Sequence, residues 1–324
     1  MNADSRPDKQ SEETVELVFH NIHEHGVEII NMWIKEVEKR TGGRMHITLR
    51  TGEDRSLIES ADIVRDVPAE GGNRPLLDLI QFPFIFPNST IGSRVLAQLY
   101  AEFPELREEL SDVKVVGLGI GALMAVFSSR KWGPIRNLED FRGATTRSLT
   151  VIDGIIESFG AKPVHVGFLN MGQLLETGEI DAAVLGVLPS WVFKFAEGPA
   201  PYCTVAGDLS LTMHPMRTYI RWDSWNRLPQ DIRDTLDEIG PAGSDCWFAV
   251  QSGLDADKQL EKALDYIRRN GELIMVPPVE LERWRDIVQP HLDAAINTVE
   301  ERGLPGKLFY NRMKELVASY SRQE

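Results

Sequence analysis

The sequence predicts an α/β fold of about two domains, each a mixed, mostly parallel sheet flanked by helices. Three observations predict it. Residues 139–186 read as strand, helix, strand, helix, strand with short connections, an order that makes the strands parallel and covers the sheet with helices. Residues 15–49 open the chain in a similar way, as strand, loop, helix and strand. A length of 324 residues is enough for a large core and suggests about two domains.

The elements follow in order. Residues 1–13 are expected to be a disordered leader, and 15–19 alternate as a first strand. After the loop His20-Asn21-Ile22-His23-Glu24-His25-Gly26, a helix over 27–40 places Ile29, Ile30, Trp33, Ile34 and Val37 at helical spacing. Thr41-Gly42-Gly43 ends it, and 45–49 is the second strand. Residues 55–60 are helical in tendency, 61–64 a third strand, and Gly71-Gly72-Asn73 a turn. The apolar run 76–86 is interrupted by Pro83. Helices are expected at 89–100 and 103–110, and strands at 113–118 and 123–129. Gly117-Leu118-Gly119 does not open a dinucleotide site, because a strand and Lys131-Trp132-Gly133-Pro134 follow where that motif needs a helix. Small residues packed closely in a strand fit better.

Residues 139–141 form a helical turn and 144–147 a strand ending on Arg147. Ser148 and Thr150 are candidate caps for a helix over 151–159 that Gly160 closes. Residues 163–166 are a strand. Asn170 is a candidate cap for a helix over 171–176 that Gly178 ends, and 180–185 is a buried strand. A helix starts at 190–195, and strands are expected at 204–211 and 217–221. Asp223-Ser224 caps a helical turn, and Pro229 opens a helix to 237. Gly240-Pro241 is the expected kink of a long helix that resumes over 244–269 with an interruption at Gly253. A last strand (273–276) precedes helices over 278–302 and 305–321.

A formal net charge of −14 argues against nucleic acid or an anionic membrane as partner. No apolar run is long enough to span a bilayer. The opening MNADSRPDKQSEET lacks the apolar core of a signal peptide, so the protein is either cytosolic or has had a signal replaced by a starting Met. Cys203 and Cys246 are too few for a metal knuckle; two lone thiols is the simpler reading of them than a disulfide. His20, His23 and His25 with Glu24 are zinc-type ligand residues, but at a spacing that matches no strong motif. A polar loop in which His20 or Asn21 donates to a ligand, or a solvated helix start, explains them better. There is no nucleophile elbow, phosphate loop or zinc-protease motif, so neither an enzyme nor a cofactor is expected.

The chain resembles the extracytoplasmic solute-binding subunits of TRAP transporters, in the dicarboxylate-binding (DctP-type) family. The resemblance is carried by Pro134 to Arg147, by Gly160-Ala161-Lys162-Pro163 and by Leu175 to Asp181, which match the family's P…D…G…R, G-A-x-P and L-x-x-G-x-x-D runs. It implies a two-domain, type II periplasmic-binding-protein flytrap, with a long helix spanning both domains. The implied division is 14–122 with 212–250, and 123–211 with 251–320. It implies a small carboxylate ligand, TRAP membrane subunits as partners, a monomer, and a periplasmic location after signal removal. Arg147 would hold the ligand carboxylate through a bidentate salt bridge, which its planar guanidinium suits.

Phe168 stands where the family is often aromatic, and His214 where it often has histidine. The first loop, with His20 and Asn21, contributes to the family's pocket. Arg65 or Asp66 could reach the cleft, with an exposed loop the slightly preferred reading; Trp191 is a pocket wall or, more simply, core. Two departures matter. The family's second arginine falls in the stretch Leu123-Met124-Ala125-Val126-Phe127, which is wholly apolar here, and its polar pair after Asp181 is Val184-Leu185. Arg147 is then the one firm cationic contact in an apolar cleft, and a monocarboxylate with an apolar body is expected. A metal-binding protein using the histidine loop and a cytosolic sensor with the same flytrap are the alternatives, with an enzyme behind them.

Overall fold

A computed structural model describes residues 14–21, 26–52, 55–68, 73–207, 210–241 and 243–323. The expected leader, His23 and His25, and Gly71-Gly72 lie outside them. The first half runs β1 (Val15–Asn21), α1 (Val27–Arg40), β2 (Met45–Thr51), α2 (Arg55–Ser60), β3 (Ile63–Asp66), α3 (Pro75–Ile80), α4 (Ser89–Glu102), α5 (Pro104–Glu109) and β4 (Lys114–Ile120). It crosses to β5 (Met124–Ser128), β6 (Thr145–Arg147), α6 (Asp153–Ser158), β7 (Lys162–Val164), α7 (Phe168–Thr177), β8 (Ala182–Gly186), α8 (Val187–Val192) and β9 (Tyr202–Val205). It returns through β10 (Pro215–Ile220), α9 (Trp222–Asn226) and α10 (Gln230–Ile239), and ends with α11 (Trp247–Asn270), β11 (Glu272–Met275), α12 (Pro278–Glu301) and α13 (Gly306–Tyr320).

Two sheets result, ordered β2-β1-β3-β10-β4 and β11-β9-β5-β8-β6-β7. β1, β2 and β3 are parallel, as are β8, β6 and β7, while β10 and β5 run against their neighbours. The mixed α/β architecture is thus the one that the strand–helix alternation implies. The first sheet packs its apolar side chains with Ile30, Trp33 and Val37 of α1 and Phe248 of α11. The second packs with Met171 of α7, Leu188 of α8 and Ile267 of α11. α11 is the shared element, packed on α4 and β4 at one end and on α8 and β11 at the other.

The local signals worked where they were strong. Glu28 in its first turn and Lys39 and Arg40 in its last complement the dipole of α1. Asn88 caps α4 by accepting from the Ile91 N–H at 2.8 Å. Gly178 ends α7 at φ 75°, which glycine adopts without strain. Most of residues 76–86 are buried, and Phe84 N–H donates to Ser210 O in the segment that leads to β10.

Several expectations need correction. Asn170 lies inside α7, which begins at Phe168 after Gly167. The helical turn Thr150–Ile152 follows Leu149 without a side-chain cap, and Asp223 and Ser224 lie within α9. Gly240-Pro241 separates α10 from α11 rather than kinking one helix, and α11 runs through Gly253 without a break. That glycine serves packing: a Cβ there would meet Thr90 Cα at 2.4 Å, so α4 and α11 approach backbone to backbone. β3 also lies two residues further along than expected. It is a central strand, and pairing with β10 carries it to Asp66.

Candidate functional site

The carboxyl ends of parallel strands leave a crevice in α/β proteins, because the helices that follow diverge there. Here the crevice is a cavity of about 600 Å³ between the two sheets. The first sheet contributes Arg65 and Val67 at the end of β3, with Gly26 and Gly52 beside them. The second contributes Arg147 at the end of β6, Leu185 and Gly186 at the end of β8, and Phe168 at the start of α7. The crossings add Ile120, Gly121, Ala122, Met124, His214 and Met216. α8 and the residue after it add Leu188, Pro189, Val192 and Phe193, and α11 adds Ser252, Asp255, Ala256 and Gln259.

Two crossing strands lie side by side under this cavity. Gly121 N–H donates to His214 O at 2.8 Å, and Met124 N–H to Thr212 O at 3.3 Å. Gln81 fixes the second crossing: its backbone oxygen accepts from the Thr212 hydroxyl, and its Oε1 lies 3.2 Å from His214 Nδ1. The glycines of β4 admit α11 closely, since a Cβ on Gly117 would lie 2.7 Å from the Phe248 ring and one on Gly119 2.9 Å from Ser252 Oγ.

Arg147 is half-buried on the cavity wall, and its Nη1 donates to Val184 O at 2.8 Å. That bond braces the guanidinium against β8. Phe168 meets Phe193 edge-to-face at 4.7 Å and stacks on Phe195 at 6.3 Å, giving the wall beside Arg147 an aromatic surface.

Of the residues singled out in the sequence, Arg147, Phe168, Leu185, His214 and Arg65 reach the cavity. His20 and Asn21 do not line it; both are buried at the end of β1, where His20 Nε2 pairs with Gly52 O at 2.7 Å. Trp191 packs instead against the core of the second sheet. The preferred exposed-loop reading of Arg65-Asp66 fails: Arg65 is a strand residue, 6% exposed. It gives the wall a second guanidinium, so Arg147 is not the one cation there. Ser252, Asp255 and Gln259 went unnoticed, although their spacing along a helix sets them on one face. No metal-binding cluster occurs among the described residues, and Cys203 and Cys246 are not joined. No helix is long and apolar enough to cross a membrane among the described residues.

Comparisons with known proteins agree with this architecture. A TRAP solute-binding protein from Rhodoferax ferrireducens, solved with copurified benzoate, superposes with a TM-score of 0.82 at 19% identity, over 95% of this chain and 99% of that one. One from Bordetella bronchiseptica with bound (R)- and (S)-mandelate gives 0.83 at 19% identity, over 94% and 99%. A sugar acid binding protein from Advenella mimigardefordensis, in complex with galactonate, gives 0.74 at 18%, over 94% and 99%. The model of the family described as DctP, bacterial extracellular solute-binding protein, family 7, matches residues 20–298. That match takes in every strand but the first part of β1 and all the cavity-lining residues, and with it this chain belongs to the DctP family of TRAP solute-binding proteins.

Proposed function

We propose that this protein captures a monocarboxylate with an apolar body and delivers it to the membrane subunits of a TRAP transporter. Family membership makes it a periplasmic binding component of transport, not an enzyme, and organic acids are its class of solute. The finer reading rests on one observation. Arg147 shares the second sheet's side of the cavity with Met124, Phe168, Leu185, Leu188, Val192 and Phe193, all apolar. A guanidinium braced by Val184 O can take a carboxylate in two parallel hydrogen bonds. These apolar side chains favour a body without further charge on that side, because burying a second charge against them would be costly. The aromatic acids bound by the Rhodoferax and Bordetella proteins support this choice; the galactonate of the Advenella protein shows that other members of the fold take a polar body.

In this reading the chain divides into 14–122 with 212–250, and 123–211 with 251–320. The strands that cross at 121–123 and before β10 bend to close the cleft. Closure removes water and strengthens the Arg147 pair. Isothermal titration tests it. Arg147→Ala is expected to weaken the best acid by about a hundredfold or more, and unchanged affinity removes the claim. A thermal-shift screen in which succinate or malate stabilises the protein while aliphatic and aromatic monoacids do not would overturn the solute class.

A further inference from the structure

The cavity holds a second buried cation that this clamp does not use. Arg65 Nη2 donates to Ser252 Oγ at 3.2 Å, but Nε and Nη1 are buried and have no hydrogen-bond partner among the described residues. No carboxylate lies within ion-pair distance of it there. Its guanidinium sits 5.6 Å over the Phe248 ring and touches Met216 Sδ, neither of which can accept strongly. Buried N–H groups are nearly always paired, and a desolvated charge left without acceptors is costly. Burial pulls the Arg65 pKa down to about 10, partly offset by the charge of Asp255, so the side chain stays cationic at neutral pH. The fold therefore carries, on the wall of the cavity, a charged group whose Nε and Nη1 lack acceptors among the described residues.

We infer that Arg65 is a second recognition group, and that the solute carries a neutral oxygen acceptor, a hydroxyl or oxo group, on its apolar body to fill Nε and Nη1. This deepens the proposed function and rests on it, since Arg147 still takes the carboxylate. Charge decides for a neutral acceptor over a second carboxylate. The described wall holds two guanidinium groups, Arg65 and Arg147, and one carboxylate, Asp255. Their sum is one positive charge, which a monocarboxylate neutralises and a dicarboxylate would overshoot. A site built to donate to an oxygen also rejects the analogue that lacks it, because the donors are then left buried and unpaired.

The test is titration of wild type, Arg65→Met, Arg65→Gln and Arg147→Met with matched acids. The pairs are phenylacetate with 4-hydroxyphenylacetate, hexanoate with 6-hydroxyhexanoate, and pentanoate with 4-oxopentanoate; adipate is the diacid. Wild type is expected to favour the oxygen-bearing member of at least one pair by about tenfold. Arg65→Met brings that ratio to about one, and Arg65→Gln, which keeps an amide donor, restores part of it. Without ligand, Arg65→Met melts at or above wild type, because it removes an unsatisfied charge; a merely structural arginine would give a lower melting temperature. A wild-type ratio near one in every pair that binds overturns the inference. So does a preference that survives Arg65→Met, a loss of stability with equal weakening of both members, or an Arg65-dependent preference for adipate over 6-hydroxyhexanoate. The Arg147→Met arm reads the carboxylate clamp separately: it should weaken both members alike, and its failure to do so, or the binding of no acid at all, removes the proposed function and this inference with it.

Discussion

Arg65 and Arg217 are the same residue type on adjoining strands, each 6% exposed, yet their surroundings are opposite. Arg217 lies across from Asp66 in the pairing of β10 with β3, and Arg65 lies across from the next residue, Thr218. Alternation along a strand sends the two side chains to different faces. Arg217 finds a full set of acceptors: Nε and Nη2 donate to Asp66 at 2.9 and 3.4 Å, and Nη1 to Asp112 at 3.0 Å. Burial pulls its pKa down, but the hydrogen bonds and charges of Asp66 and Asp112 outweigh that, and the net shift is upward. Arg65 has burial with a single neutral oxygen acceptor, Ser252 Oγ, among the described residues, and its shift is downward. Burial alone therefore does not separate a structural arginine from a recognising one. The state of its N–H groups does.

The largest effect that could break this comparison belongs to Arg217. Arg217→Met leaves Asp66 and Asp112 facing an apolar side chain, and Asp66 is mostly buried. The expected loss is about 3 kcal/mol, read as a lower urea midpoint at pH 7, with solute affinity unchanged. An Arg217→Met protein as stable as wild type would erase the distinction from Arg65. Gly117→Ala comes next. The added methyl would press on three atoms of the Phe248 ring, within 2.9 Å, and that ring lies beneath the Arg65 guanidinium. The expected cost is about 1–3 kcal/mol. It should also blunt the preference for an oxygen-bearing acid, which a crowding effect confined to the core would leave alone.

The sequence made one of these arginines easier to find than the other. Arg147 stands at the end of a short strand inside a motif-rich unit, where strand order, glycine punctuation and the family pattern all converge. Arg65 lies within a four-residue strand whose end is set by pairing with β10, a partner some 150 positions away in the chain. Neither periodicity nor propensity reports such a partner, so Arg65 and Asp66 read as loop. The helices behaved alike. α1 was legible to the residue because its apolar face, its terminal charges and the glycines after it are all local. The unbroken course of α11 through Gly253 was not, because the glycine answers to the backbone of α4 and not to its own helix. What was missed at the site has the same character. Ser252, Asp255 and Gln259 share a helix face that sequence spacing could reveal, but that this face looks into the cleft is a tertiary fact.

Glu109 supplies the smallest effect and the sharpest check on what the comparison means, because it joins features of both arginines. Like Arg217 it has partners: Oε1 accepts from the Leu76 N–H at 2.8 Å and Oε2 from the Leu77 N–H at 3.0 Å, which ties α5 to the first turn of α3. Like Arg65 it is shifted toward its neutral form. Burial raises its pKa to about 7, with Asp78 adding to the rise, while the two backbone bonds and Arg74 oppose it. A carboxyl raised in the folded state holds its proton more tightly there than in the unfolded chain. Its contribution is therefore favourable at low pH and is lost as pH rises from its ordinary value of 4.5 through about 7. Solvent at its partly exposed edge holds the loss to about 1 kcal/mol. Glu109→Gln does not titrate and keeps one oxygen for one N–H. Between pH 5 and pH 8 its urea midpoint should therefore gain on that of wild type, and solute affinity should not change. Carboxylates held low by arginines, such as Glu102 beside Arg312, titrate alike in both proteins and cancel in the difference. Parallel pH profiles would mean that the backbone bonds outweigh burial and that Glu109 is ionised throughout. An altered solute affinity would mean that a shifted pKa by itself, with all partners in place, can mark a recognition group, and the distinction drawn between Arg217 and Arg65 would lose its ground.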